Sequence, residues 1–196
     1  PSGGWETFHR GDTTREWTLV DAVTYPEYVY EGDYSAWINY DSSYNSDEWL
    51  LTPVIDSTIA SNLTLNFYAG SDTLYPTATM KVWVTDEDGD PLTTDPLWDL
   101  VRDETWSDFE YRLVTVDLSD FDGYSAIRIA WQYVGLDGES FGLDNIEVSG
   151  ELDVPWLSED PVAGTVPASG ALPITVTFDA TGLDAGDYFA GLRGRP

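Results

Sequence analysis

The stretch G-Y-S-A-I-R-I-A-W-Q-Y-V-G-L-D-G-E-S-F-G-L-D-N-I-E-V (residues 123–148) decides the fold. In its first half Ile127, Ile129 and Trp131 alternate with Arg128, Ala130 and Gln132, the period of two that marks a strand with one buried face. In its second half Phe141, Leu143, Asn145 and Glu147 alternate with Gly142, Asp144, Ile146 and Val148. An acidic, glycine-bearing loop joins the two, so the stretch reads as consecutive β-strands. The pair Asp144 and Asn145 interrupts an otherwise apolar strand and places a carboxylate or an amide at the core or its rim, where a polar group needs a partner. A bound cation is one such partner; backbone groups at a bulge are the other.

Outward from this stretch, short alternating runs recur in both directions. Residues 5–8 and 17–20 are strand-like pieces across a polar loop that contains His9, and residues 35–40 form another. Residues 48–56 meet Pro53, which has no N–H to give a ladder and marks an edge, a bulge or a strand end. Residues 62–69, 79–85 and 112–118 alternate cleanly, while Glu31-Gly32-Asp33 and the acidic run 86–90 read as turns. No segment of the first 150 residues shows a 3.6-residue period. Many short strands punctuated by Gly, Pro and Asp argue an all-β sandwich. Beyond Gly150 the texture changes, with Pro155, Pro161, Pro167 and Pro173 spacing out strand patterns at 172–178 and 185–192. The expected division is 1–150 and 151–196. The second part holds about four strands, fewer than the seven or so of an immunoglobulin-like sandwich, and reads as a small, incomplete unit.

Composition narrows the function. The chain has 36 acidic and 8 basic residues and a formal net charge of -28, so phosphate-rich nucleic acid and anionic membrane surfaces are excluded as partners. It has no cysteine, hence no disulfide, thiolate metal site or thiol nucleophile. No apolar run approaches the roughly 20 residues of a membrane span. The opening Pro1-Ser2-Gly3-Gly4 carries neither Met nor signal peptide, and is expected to belong to a processed or excised segment of something longer. With a single histidine, His9, a Ser-His-Asp arrangement or a multi-histidine zinc site lacks its parts, and nothing singles out two of the carboxylates for glycoside hydrolysis. The expectation is a protein that is not an enzyme. The acidic run 86–90 lacks the flanking helices and the final Glu of a helix-loop-helix calcium loop and reads as an acidic hairpin turn. The chain is rich in aromatics, and Trp98, Trp106, Tyr25, Tyr28, Tyr30, Tyr44 and Tyr75 fall in predicted loops, where flat rings stack on sugars or build an interface.

Several segments together resemble the MAM-like and cleaved-adhesin (choice-of-anchor J) jelly-roll domains of secreted bacterial proteins. They are Trp5-Glu6, Asp47-Glu48-Trp49-Leu50-Leu51-Thr52-Pro53, Leu65-Asn66-Phe67-Tyr68, Val82-Trp83-Val84-Thr85-Asp86, Val116-Asp117-Leu118-Ser119 and Ser140-Phe141-Gly142-Leu143-Asp144-Asn145-Ile146. Residues 155–188, from Pro155-Trp156-Leu157-Ser158 to Gly186-Asp187-Tyr188, resemble the first half of the bacterial Ig-like repeats that follow such domains. The resemblance implies a jelly-roll β-sandwich, galactose-binding-like in class, and a structural Ca²⁺ tying the first strand to the last. It assigns that ion to Glu6 and Asp144, with Asn145 where the family commonly has a second aspartate and Asp33 as a further ligand. It also implies a secreted or cell-surface module for adhesion or surface assembly. The partners are other chains, joined head to tail or by strand donation at the open edge of 174–178, or a cell-surface glycan. In the alternative reading the chain is a carbohydrate-binding accessory module using Trp98, Trp106, Tyr44 and Tyr75.

Overall fold

The computed structural model describes residues 3–12, 15–152, 154, 156–161, 164–166 and 170–188. They fall into two units, Pro1–Glu151 and Leu152–Pro196, each taken by itself below.

The first unit is built from β1 (Glu6–His9), β2 (Thr18–Asp21), β3 (Tyr34–Ile38), β4 (Ser46–Leu51), β5 (Ala60–Ser71), β6 (Ala78–Thr85), β7 (Trp98–Asp99), β8 (Glu110–Asp117), β9 (Arg128–Gly135) and β10 (Phe141–Leu152). They form two five-stranded sheets, ordered β1-β4-β9-β6-β7 and β2-β3-β10-β5-β8. The stretch that opened the sequence reading thus supplies the central strand of each sheet. Alternation explains the core: Leu63, Leu65, Phe67 and Ala69 of β5, Met80, Val82 and Val84 of β6, Ile129 and Trp131 of β9, and Phe141 and Leu143 of β10 all bury into one cluster between the sheets. The alternating partners on these strands face outward, as a two-layer sandwich requires.

A second, smaller cluster lies on the outer face of the first sheet. Trp49, Leu51 and Ala130 are buried there with Phe8 and Trp83, and the Arg10 guanidinium covers the rings at 5.2 Å from Phe8 and 4.9 Å from Trp49. The acidic run 86–90 is a turn that closes over the same face. Asp86 Oδ1 accepts the N–H groups of Asp88 (3.0 Å) and Asp90 (2.9 Å), and Gly89, at φ +88, lets the backbone lie against Phe8 and Leu51.

Two expectations for residues 91–110 change. A short helix, α1 (Leu100–Asp103), follows β7, its N-terminus capped by Asp99 Oδ1 accepting from Val101 and Arg102 N–H. Trp98 and Trp106, expected as exposed loop rings, are buried at 5% and 8% exposure. Both indole N–H groups donate to the Glu104 carboxylate, at 3.1 Å and 2.9 Å, which lets two large apolar rings enter the core without leaving a donor unmet.

In the second unit β11 (Leu157–Asp160) and β12 (Thr175–Phe178) pair antiparallel as a two-stranded sheet. Trp156 stacks on Phe178 with ring centroids 6.3 Å apart and meets Tyr188 edge-on. Of the strand expected over 185–192, residues 185–188 form none and the rest lie outside the described residues. Among the described residues this unit therefore has two strands rather than about four.

Candidate functional site

The polar pair in β10 is resolved by a change of register. Gly142 pairs with Trp37 and Leu143 with Ala36, so Leu143 faces the core and Asp144 faces outward. Asn145 takes φ 45, and beyond it Ile146 and Val148 pack on the core. The inward positions have therefore shifted by one residue, which is a β-bulge at a residue type that tolerates the left-handed region.

On the outer face, Asp144 pins the segment 22–33. Its Oδ2 accepts the N–H groups of Tyr30 (2.9 Å) and Glu31 (3.1 Å), and its Oδ1 accepts Asn145 N–H at 2.7 Å. The Asn145 amide donates to Glu31 Oε2 at 2.8 Å. Tyr111 adds a second anchor, its hydroxyl donating to Tyr28 O at 2.6 Å, and burial, with the Asp144 charge adding, pushes its phenol up to about 12. The Tyr111 ring lies against Gly70 and Gly142, and a Cβ at either glycine would collide with it. Tyr30 stacks on Tyr68 at 3.8 Å and Tyr28 on Trp37 at 4.0 Å, so each of these two tyrosines has a face covered by a neighbouring ring.

The four residues assigned to a calcium ion are not brought together. Glu6 pairs with Leu51, a member of the outer cluster of the first sheet, so its carboxylate lies on the far face of the sandwich from Asp144. There it accepts from Arg128 Nη2 at 2.8 Å. Asp33 is exposed, and its backbone carbonyl accepts Ala22 N–H at 2.9 Å. Among the described residues no group of three or more His, Asp or Glu side chains is arranged to hold a metal. These residues do not fit the clasp that the resemblance implied, because the first and last strands belong to different sheets and present these carboxylates to opposite sides.

Tyr44 and Tyr75 are placed differently. They are 57% and 52% exposed, on the β3–β4 and β5–β6 loops. Each loop is fixed by an aspartate three residues upstream: Asp41 Oδ1 accepts the N–H groups of Ser43 (2.8 Å) and Tyr44 (3.1 Å), and Asp72 Oδ1 accepts Leu74 N–H at 2.9 Å. The β9–β10 loop ties the two together. Asp137 N–H donates to Asp41 O at 2.8 Å, and Thr77 Oγ1 donates to Asp137 O at 3.1 Å. Tyr40 and Leu136, 38% and 40% exposed, lie on the same three loops.

One buried acid was not singled out from sequence. Glu48, on the core side of β4, is 2% exposed, and its Oε1 meets no hydrogen-bond donor among the described residues. Burial, with the neighbouring Asp47 charge adding, pushes its carboxyl up to about 7. His9 lies at the exposed end of β1.

No family model matches the chain, and no curated protein matches it in sequence. Solved structures do match in shape. The K1 cleaved adhesin domain of Lys-gingipain from Porphyromonas gingivalis W83 is 18% identical with a TM-score of 0.57, over 77% of this chain and 92% of that one. The fold is a jelly-roll β-sandwich. The K2 cleaved adhesin domain of Lys-gingipain gives 13% identity and a TM-score of 0.55, over 74% and 90%. TmCBM61, solved in complex with β-1,4-galactotriose, gives 16% and 0.52, over 75% and 88%. No helix among the described residues is long and apolar enough to cross a membrane.

Proposed function

We propose that the chain is a non-catalytic extracellular module that binds glycan through the loop end carrying Tyr44 and Tyr75 and serves adhesion. The observation that carries this reading is the pair of exposed rings, each set by its own aspartate-held turn on interlocked loops. Loops whose backbone is held before binding lose little freedom on binding, and the flat faces of the rings they carry stack on sugar rings. Support comes from the fold shared with cleaved adhesin domains and with a module solved bound to a galactose oligomer. Trp98 and Trp106 take no part, since both are buried.

Affinity electrophoresis in gels containing neutral polysaccharides, together with a glycan array, tests this. The protein is expected to be retarded by at least one neutral glycan. Tyr44→Ala and Tyr75→Ala are each expected to weaken binding about tenfold, the ~1–3 kcal/mol scale of one lost stacking contact, without lowering the melting temperature. Absence of retention on every glycan, or unchanged binding by both variants, refutes the reading.

A second reading, assembly with other chains, is favoured by the second unit, where Phe178 on β12 is 71% exposed and Ile174 beside it 55%. Light scattering across concentration tests it: a mass that stays that of one chain rejects self-assembly.

A further inference from the structure

One corner of the sandwich is left uncovered. Among the described residues β1 pairs with β4 alone and β2 with β3 alone, so each is the margin of its sheet, and residues of both margins line one cleft. Between them lies a cleft of about 400 Å³ whose lining includes Trp5, Trp17, Leu19, Tyr34, Leu50 and Ile146. Leu19 pairs with Ala36, and Tyr34 lies two residues from Ala36 on the same strand. Ala36 packs on the core, so both side chains point into the space between the sheets. They are nevertheless 67% and 61% exposed. Inner-face positions of a sandwich are ordinarily covered by the opposite sheet, and here that sheet ends at β1 and leaves these two side chains open.

Carboxylates fringe the cleft. Glu16 precedes the lining residue Trp17, Asp33 precedes the lining residue Tyr34, and Asp21 is in register with Tyr34. The neighbouring arginines are engaged elsewhere, Arg10 with Asp90 and Arg15 with Asp41.

We propose that this cleft takes an extended cationic segment of a partner protein as an added strand against β1, its alternate apolar side chains covering Leu19 and Tyr34 and its basic residues meeting the fringing carboxylates. The free margin of an edge strand presents alternate unpaired N–H and C=O groups. An acyl chain has nothing to pair with them. A peptide strand satisfies them while its side chains alternate between floor and rim. The charge of the fringe selects basic over acidic sequences. This site is separate from the tyrosine-bearing loops and stands whether or not glycan binds there.

The full chain is titrated with a short peptide of alternating lysine and valine, followed by calorimetry and by tryptophan fluorescence, since Trp5 and Trp17 line the cleft. Saturable binding is expected. It is expected to weaken about tenfold or more when alternate peptide nitrogens are methylated, when glutamate replaces lysine, and in Leu19→Lys. Leu19 is exposed, so that variant is expected to keep the melting temperature of the parent, and Tyr44→Ala is expected to bind the peptide unchanged. No saturable binding at millimolar peptide overturns the proposal, as does equal affinity for the N-methylated peptide. It is also overturned if the chain dimerises and Leu19→Lys alone makes it monomeric, because the occupant is then a second copy.

Discussion

Glu48 is the carboxylate whose chemistry departs furthest from its sequence context. An acid held 2% exposed with an unpartnered oxygen favours its neutral form. Its carboxyl moves from the ordinary 4.5 to about 7, so the folded protein binds this proton more tightly than the unfolded chain does. The stabilisation is complete below pH 4.5 and is lost as pH rises through 7. Asp56 and Asp117 act in the opposite sense and in a more acidic window. Their turn hydrogen bonds, chiefly from Thr58 and Ser119, hold them below 3.8, so their contribution is lost only as pH falls past that value. Urea denaturation from pH 4.5 to 8 is therefore expected to show stability falling with pH, and Glu48→Gln to flatten that fall and to be the more stable protein at pH 8. A parallel pH slope in the variant places the effect in another group.

At the scale of elements, the informative contact is the one between β10 and the segment 22–33. Two N–H groups of that segment end on one Asp144 oxygen, and a third bond comes from Tyr111 to Tyr28. Asp144→Ala leaves three donors, the N–H groups of Tyr30, Glu31 and Asn145, without their acceptor and is expected to cost about 1–2 kcal/mol in urea unfolding. Amide exchange of Tyr30 and Glu31 is expected to quicken while the core strands β5, β6 and β9 stay protected. Equal protection of Tyr30 in parent and variant shows that Tyr111 and the stacked rings hold the segment by themselves. The strands were legible as elements because each alternates: 123–148 announces β9 and β10, and 62–69 and 79–85 announce β5 and β6. The bulge was legible only as one of two readings of the Asp144-Asn145 pair, and the choice between them was not, because it is decided by partners 114 residues away in sequence. Nor was the burial of Trp98 and Trp106, which depends on Glu104 serving both indoles.

For the whole molecule the dominant quantity is the net charge of -28. Like charge on a compact body opposes folding, and salt screens it over a Debye length of roughly 10 Å at 0.1 M. Thermal melts are expected to rise by several degrees, on the order of the effect of 1 kcal/mol, between 10 mM and 0.5 M NaCl. With Glu6 and Asp144 on opposite faces and already bonded, millimolar Ca²⁺ is expected to add nothing beyond NaCl of matched ionic strength. A calcium-specific rise in the melt shows that these ligands rearrange around the ion. The sequence by itself determined the class of the fold and the lack of parts for thiol or multi-histidine chemistry, because alternation and composition are local sums. Tertiary structure alone decided which side chains meet. Sheet order put the first and last strands in different layers, so a foreseen clasp became two separate anchors, and the stretch 123–148 became the centre of both sheets. The same order left Leu19 and Tyr34 uncovered at the margin and tied the loops that carry Tyr44 and Tyr75 through the β9–β10 loop, since adjacency across a sandwich depends on strand order rather than on distance along the chain.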